Sequence, residues 1–366
     1  MNKQRLVNTL MDILKIDSPA KSERVVADYL IEYFRTIGIQ LVEDAAGEKI
    51  GGNSGNLYAF IPGDSAVEPV VFLAHMDTVA PTFGLHPKLD ESFIRSDGNT
   101  VLGGDDKAGV AVLCEMARII SEATMRHRPV EIIFTIAEEI GLYGIKHFDH
   151  SKIKSKFAYV LDTFGPAGNI ITKSPSLERI SISILGKAAH AGSKPEHGIN
   201  AIAIAADAIS KIKQGRIDEE TTLNLGTIKG GEATNIVPHR VEIAGECRSF
   251  NKEKLDEQIK IVEHDFLESA KKFGGEIEFS HRLSFTTFNI NEESQAVQIA
   301  VNAARRVGLK HNITKTGGGS DANVLNLNGI QSVVLATGYY NEHTNQEYIS
   351  LDDLYKCLEF VLGLAT

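Results

Sequence analysis

Three nearly uninterrupted apolar runs constrain this chain most: Val70-Val71-Phe72-Leu73-Ala74, Ile132-Ile133-Phe134-Thr135-Ile136-Ala137, and Phe157 to Leu161. Each reads as a strand covered on both faces, the situation of a parallel sheet with helices on either side. Helical spacing appears between them. Val25, Val26, Leu30, Tyr33, Phe34 and Ile37 recur at helical intervals with Gly38 at the stop, and Lys107 to Ile120 reads as a second helix. Strands alternating with helices predict an α/β fold built on a mostly parallel, doubly wound sheet flanked by helices.

The pattern changes after about Thr172. Arg179 to Leu185 alternates polar and apolar residues, with Ile180, Ile182 and Ile184 on one face. A helix over Asn200–Ile212 follows, then alternating strands near Thr222–Ile228 and His239–Arg248, a long helix over Lys252–Phe273 and a strand from Glu276 to Phe285. The order β-α-β-β-α-β is the ferredoxin-like split unit, and alternation suits a sheet with one solvated face. The first pattern then returns, with a helix near Glu293–Val307, a strand over Ser332–Thr337 and a final helix after Ser350, where Asp353 stands at capping-box spacing. The expected organisation is a discontinuous domain, 1–173 and 288–366, interrupted by an inserted domain, 174–287.

Composition narrows the function. At 366 residues with 43% hydrophobic residues the chain can bury a sizeable core. The net charge of −10 argues against a nucleic-acid partner, which calls for a basic face. No apolar stretch approaches ~20 residues, so no membrane span is expected. Asp12, Lys15 and Asp17 interrupt the N-terminal apolar run, which reads as an amphipathic helix and not a signal peptide. Cys114, Cys247 and Cys357 are odd in number and lack metal spacing, so a reducing cytoplasm is the expected compartment.

In open α/β sheets ligands bind beyond the carboxyl ends of the strands. Here those ends carry His75-Met76-Asp77, Glu138-Glu139 and Asp162, while the strand through Leu335 leads to a loop holding His343. Asp105-Asp106 adds a further acidic pair in a Gly103-Gly104 turn that opens a helix. Any one of these has an ordinary explanation as a cap, a solvated turn or a satisfied histidine. All of them at strand ends do not, because the carboxylates would repel one another without cations. Histidine nitrogens and carboxylate oxygens suit zinc, and less tightly cobalt or manganese.

These segments resemble the metallopeptidase family of peptidase T, carboxypeptidase G, acetylornithine deacetylase and succinyl-diaminopimelate desuccinylase. The matching stretches are Ala74-His75-Met76-Asp77-Thr78-Val79, Gly103-Gly104-Asp105-Asp106-Lys107-Ala108-Gly109, Thr135-Ile136-Ala137-Glu138-Glu139-Ile140-Gly141, Leu161-Asp162 and Glu342-His343-Thr344, and the wording is most like the peptidase T branch. The resemblance implies two divalent ions. Asp105 would bridge them, His75 and Asp162 would bind one, and Glu139 and His343 the other. Asp77 would orient His75 through its far nitrogen, and the peptide bond from Asp105 to Asp106 would be cis. Glu138 would stay off the metals as the base, taking a proton from water and returning it to the leaving amine.

In the inserted domain, a lid and dimerisation unit in such proteins, the resemblance points to three residues. His190 in Lys187-Ala188-Ala189-His190-Ala191-Gly192 would stabilise the oxyanion, in its own or a partner subunit. Asn235 in Ala233-Thr234-Asn235-Ile236 would bond substrate backbone, and Arg248 a substrate carboxylate. Gly318 and Gly319 of the Gly317-Gly318-Gly319-Ser320-Asp321 turn would let bare backbone approach the substrate; no Gly-Lys-Ser/Thr follows, which argues against a phosphate loop. The implied activity is a metal-dependent exopeptidase on short peptides, an aminotripeptidase releasing the N-terminal residue. A homodimer through the inserted domain is an arrangement the resemblance allows. Thr163-Phe164-Gly165 stands where the tripeptidase branch has a glycine-rich run, which keeps carboxypeptidase, dipeptidase and N-acyl amino acid deacylase activities open. A non-catalytic peptide-binding protein is the alternative of another class.

Overall fold

The computed structural model describes residues 1–79, 82–122 and 126–366. The chain forms two compact units, one of Met1–Lys173, Asn289–Thr316 and Ser320–Thr366, the other of Ser174–Phe288 and Gly317–Gly319.

Within a nine-stranded sheet, seven strands lie in the order Val42–Glu43, Leu57–Ile61, Val130–Thr135, Val70–His75, Phe157–Thr163, Gln331–Ala336 and Asn169–Ser174. The four strands from Val130–Thr135 to Gln331–Ala336 run parallel. Their neighbours, Leu57–Ile61 on one side and Asn169–Ser174 on the other, run antiparallel. The two apolar runs that form Val70–His75 and Val130–Thr135 are buried at every position, as strands covered on both faces must be. The α/β fold with a mostly parallel sheet is therefore as expected from the sequence. Chain order explains where a site can form. From Val70–His75 the chain crosses to Val130–Thr135 on one side, then returns past it to Phe157–Thr163 on the other. Strand order reverses there, and the crevice at the carboxyl ends of such strands is where open sheets bind ligands.

Helix packing departs from the sequence reading at one residue. In the helix Arg24–Thr36 the buried stripe is Val26, Ala27, Leu30 and Phe34, whereas Val25 is 61% exposed. Gly38 ends that helix at φ +75°, with the Ile39 N–H reaching back to the Phe34 carbonyl. Ser350 caps the final helix Leu351–Ala365 by accepting from Asp353 N–H, but the Asp353 carboxylate turns to Tyr340 Oη and Ala167 N–H in place of closing a capping box.

The first helix, Lys3–Leu14, is anchored by charge as well as by apolar burial. Arg5 grips the fully buried Glu115 of the helix Gly104–Glu122 with two bonds, 2.7 and 2.8 Å, and reaches Glu122 at 3.0 Å. Arg5→Met should leave Glu115 buried without its partner and cost about 3 kcal/mol, read from urea unfolding. A loss under about 1 kcal/mol, the range of a surface substitution, would contradict this account of the helix pair.

In the second unit the strands lie in the order Gly215–Arg216, Thr221–Gly230, Arg240–Ser249, Ser176–Leu185 and Glu276–Phe285, all antiparallel. Ile180, Ile182 and Ile184 pack against Ala201, Ile204 and Ala205 of one helix and Val262 and Phe266 of the other. Asn200 and Asn251 cap those helices, each accepting a backbone N–H three residues on at 3.0 Å.

Candidate metal centre

His75 closes its strand, and Asp162 lies near the end of the neighbouring one. Leu73 registers with Val160 across the parallel pair, so two residues further on His75 and Asp162 face the same edge. Thr135 registers with His75 on the other side, which puts Glu138 and Glu139 just beyond that edge. Asp105 and Asp106 have non-helical backbone angles and enter before the helix proper. The peptide bond between them is cis.

These placements bring His75, Asp105 and Glu139 together, with one ligand atom from each within 4.8 Å of the others. His75 Nε2 lies 3.1 Å from Asp105 Oδ1 and 3.7 Å from Asp162 Oδ1. His343 Nε2 lies 3.2 Å from Asp105 Oδ2 and 3.2 Å from Glu139 Oε1. Each oxygen of Asp105 thus faces a different histidine. His75 Nδ1 sits 2.9 Å from the Asp77 carbonyl, which can only accept, so Nδ1 carries a proton and Nε2 is the nitrogen that faces the carboxylates.

Asp77 reaches the far nitrogen of His75 through its main chain. Its carboxylate is 3.6 Å from His75 Nδ1, too far for the orienting bond; its main-chain carbonyl makes that bond instead. The carboxylate accepts from the N–H of Glu138 at 3.0 Å and of Glu139 at 3.2 Å. Those N–H groups lie past the last ladder bond of the Val130–Thr135 strand and need an acceptor. Asp77 therefore holds the two glutamates as well as the histidine. Asp77→Asn would set an amide NH2 against one of those N–H groups, and kcat should fall about 10- to 100-fold. Steady-state kinetics within twofold of the wild type would rule the role out.

The electrostatics are those of crowded acids. Burial and the neighbouring Asp162 push the Glu138 carboxyl well above its ordinary value, and burial pushes Asp162 up to about 7. Burial opposes charge on His75, but the nearby carboxylates of Asp105, Asp162 and Asp77 outweigh it and raise its pKa well above normal. Bonds to Asp105 and Glu139 push His343 up to about 10. Burial raises Asp105 less than His343 and His75 lower it, so it stays ionised. His75 lends positive charge to Asp105, Glu138, Glu139 and Asp162, and His343 lends it to Asp105 and Glu139. A donor set of imidazole nitrogen and carboxylate oxygen, already converging and short of positive charge, fits divalent cations.

Residues 71–366 match the model of peptidase family M20/M25/M40. This chain belongs to that family. It is 39% identical to the uncharacterized protein YqjE of Bacillus subtilis over 100% of this chain and 98% of that one. An aminopeptidase PepT from Bacillus cereus shares its structure at a TM-score of 0.90 and 38% identity, over 100% of this chain and 98% of the other. A tripeptidase from Staphylococcus aureus does so at a TM-score of 0.95 and 36% identity, again over 100% and 98%. The family resemblance carried by the motifs is thereby established, and the enzyme is a peptidase.

In this M20-family peptidase the remaining expected site residues lie in the second unit. His190 and Asn235 belong to two loops laid side by side there, with Ala191 N–H donating to the Asn235 carbonyl and Val237 N–H to that of Ala189. His190 Nδ1 accepts from the N–H of Gly192 and Ser193 at 3.1 and 3.2 Å, which leaves Nε2 as the free end of the ring. Arg248 bonds Glu246 at 2.8 Å and the Gly317 carbonyl at 2.9 Å, so its guanidinium is tied to the glycine turn. Gly319 is obligatory for packing, since a Cβ there would meet the Phe285 ring at 2.2 Å. Gly318 receives Ser174 Oγ at its carbonyl, 2.7 Å.

Two buried carboxylates escaped the sequence reading. Glu23 accepts from Ala137 N–H at 3.0 Å and so braces the residue before Glu138, which takes the left-handed φ of +49°. Glu347 accepts three backbone N–H groups around Asp105. A glutamate four residues past His343, directly before the strand Tyr348–Ser350, was the available signal for Glu347; nothing in the sequence marks Glu23.

Proposed function

We propose that this M20-family peptidase is a two-metal aminopeptidase of very short peptides, a tripeptidase, that releases the N-terminal residue. The observation that carries the chemistry is Asp105, whose two oxygens face His75 and His343 separately. In this reading His75, Asp105 and Asp162 hold one ion, and Glu139, Asp105 and His343 the other. Zinc suits the donors best; cobalt and manganese also fit. Bound there, the ions would lower the pKa of water and polarise the scissile carbonyl. Glu138 takes the water proton and delivers it to the departing amine, a role that suits a carboxyl whose proton affinity burial raises. Asp77 fixes the Glu138 backbone so that the carboxylate keeps one orientation through both transfers. His190, Asn235, Arg248 and the backbone at Gly318 and Gly319 form the substrate-reading set, with Arg248 suited to a terminal carboxylate.

Support for tripeptides comes from the B. cereus aminopeptidase and the S. aureus tripeptidase, similar along the full chain. A panel of free-amine tripeptides, dipeptides, N-blocked peptides and acetylated amino acids, each with added zinc, cobalt or manganese, tests it. Cleavage confined to free-amine tripeptides is the expected result; cleavage of N-acyl substrates alone would replace this reading with a deacylase. A cytoplasmic location fits the three cysteines, which are free and buried. Among the described residues no helix is long and apolar enough to cross a membrane. The second unit is the proposed dimerisation surface, with sedimentation as its test.

A further inference from the structure

Glu347 is 1% exposed, and one short stretch of backbone occupies both of its carboxylate oxygens. Oε2 accepts from the N–H groups of Leu102 and Gly103, 2.9 Å each, and Oε1 from that of Asp105 at 3.0 Å. The same residue closes the loop that carries His343. Its N–H donates to the Thr344 carbonyl and its own carbonyl accepts from Ser96 N–H, 3.2 Å each. Gly104 makes the room: a Cβ there would stand 2.9 Å from Oε1 and 3.0 Å from Ile349 Cγ1. We propose that Glu347 is a positioning residue that ties the Asp105 turn to the His343 loop and thereby sets the spacing between Asp105 Oδ2 and His343 Nε2. The inference rests on the two-metal reading above. The chemistry requires a carboxylate. Acceptors are needed on both sides of the group, and an amide would turn its NH2 toward backbone N–H on one of them.

The test is a zinc titration of chelator-treated protein by calorimetry on the wild type, Glu347→Gln, Gly104→Ala and Arg5→Met. Gly104→Ala displaces Glu347 without changing charge, and Arg5→Met lowers stability away from the site. The wild type should take up two ions. Glu347→Gln and Gly104→Ala should hold one of them about 10- to 100-fold more weakly, with kcat reduced and KM for a tripeptide little changed. Arg5→Met should bind both as the wild type does. Undiminished affinity in folded Glu347→Gln or Gly104→Ala overturns the proposal. So does equal weakening in Arg5→Met, or failure of both site variants to fold, since either would make Glu347 a structural residue only. A wild type that takes up no zinc defeats the two-metal reading itself, a result distinct from unchanged affinity in the variants.

Discussion

Glu138→Ala should bind two metal ions like the wild type and turn over a tripeptide about 10^4-fold more slowly, a barrier increase of about 5.5 kcal/mol. In the proposed mechanism one carboxylate serves in both proton transfers, so the loss falls at the upper end of general acid–base effects. The proposed ligand atoms belong to other residues, so metal content should be retained. The metal-free variant should also melt higher than the metal-free wild type. Burial and repulsion from Asp162 and Glu139 make the Glu138 carboxylate costly to hold, and removing it relieves that cost. Activity within tenfold of the wild type would remove Glu138 from the mechanism. A large loss of bound metal would recast it as a ligand.

Asp105→Asn should be as damaging by another route. The carboxylate oxygens lie 3.1 Å from His75 and 3.2 Å from His343, and an amide presents oxygen to only one of them. Metal content should drop from two ions to one or none, and tripeptide cleavage should fall to background. Mass spectrometry of the purified protein gives the stoichiometry directly. Two ions retained at wild-type affinity would show that Asp105 does not bridge them.

Much of this candidate site is legible in the sequence because its parts sit where strand periodicity ends. The apolar runs to Ala74, Ala137 and Leu161 each stop at a polar residue, and parallel strands in register must bring those residues to one edge. Register also accounts for the pairing of His75 with Asp162 through Leu73 and Val160. The inserted unit was legible for a similar reason: Ile180, Ile182 and Ile184 alternate, and they are the residues that face the helices. What escaped was the support behind the candidate ligands. Asp77 bonds its histidine through a carbonyl, and no side-chain pattern reports a main-chain bond. Glu23 and Glu347 lie far in sequence from the backbone they hold. Their burial depends on how loops close, and loop closure leaves no periodic signal. Val25 shows the same limit at a smaller scale, because an apolar residue beside a helical stripe can face solvent at little cost.

The most direct test of the central claim is to strip the enzyme of metal and restore it in steps with zinc or cobalt. Cleavage of a free-amine tripeptide is followed at each step. Activity should be absent in the stripped protein, should return on addition of metal, and should reach its plateau at two ions per chain. Full activity with excess chelator present, or a plateau at one ion, would contradict the account.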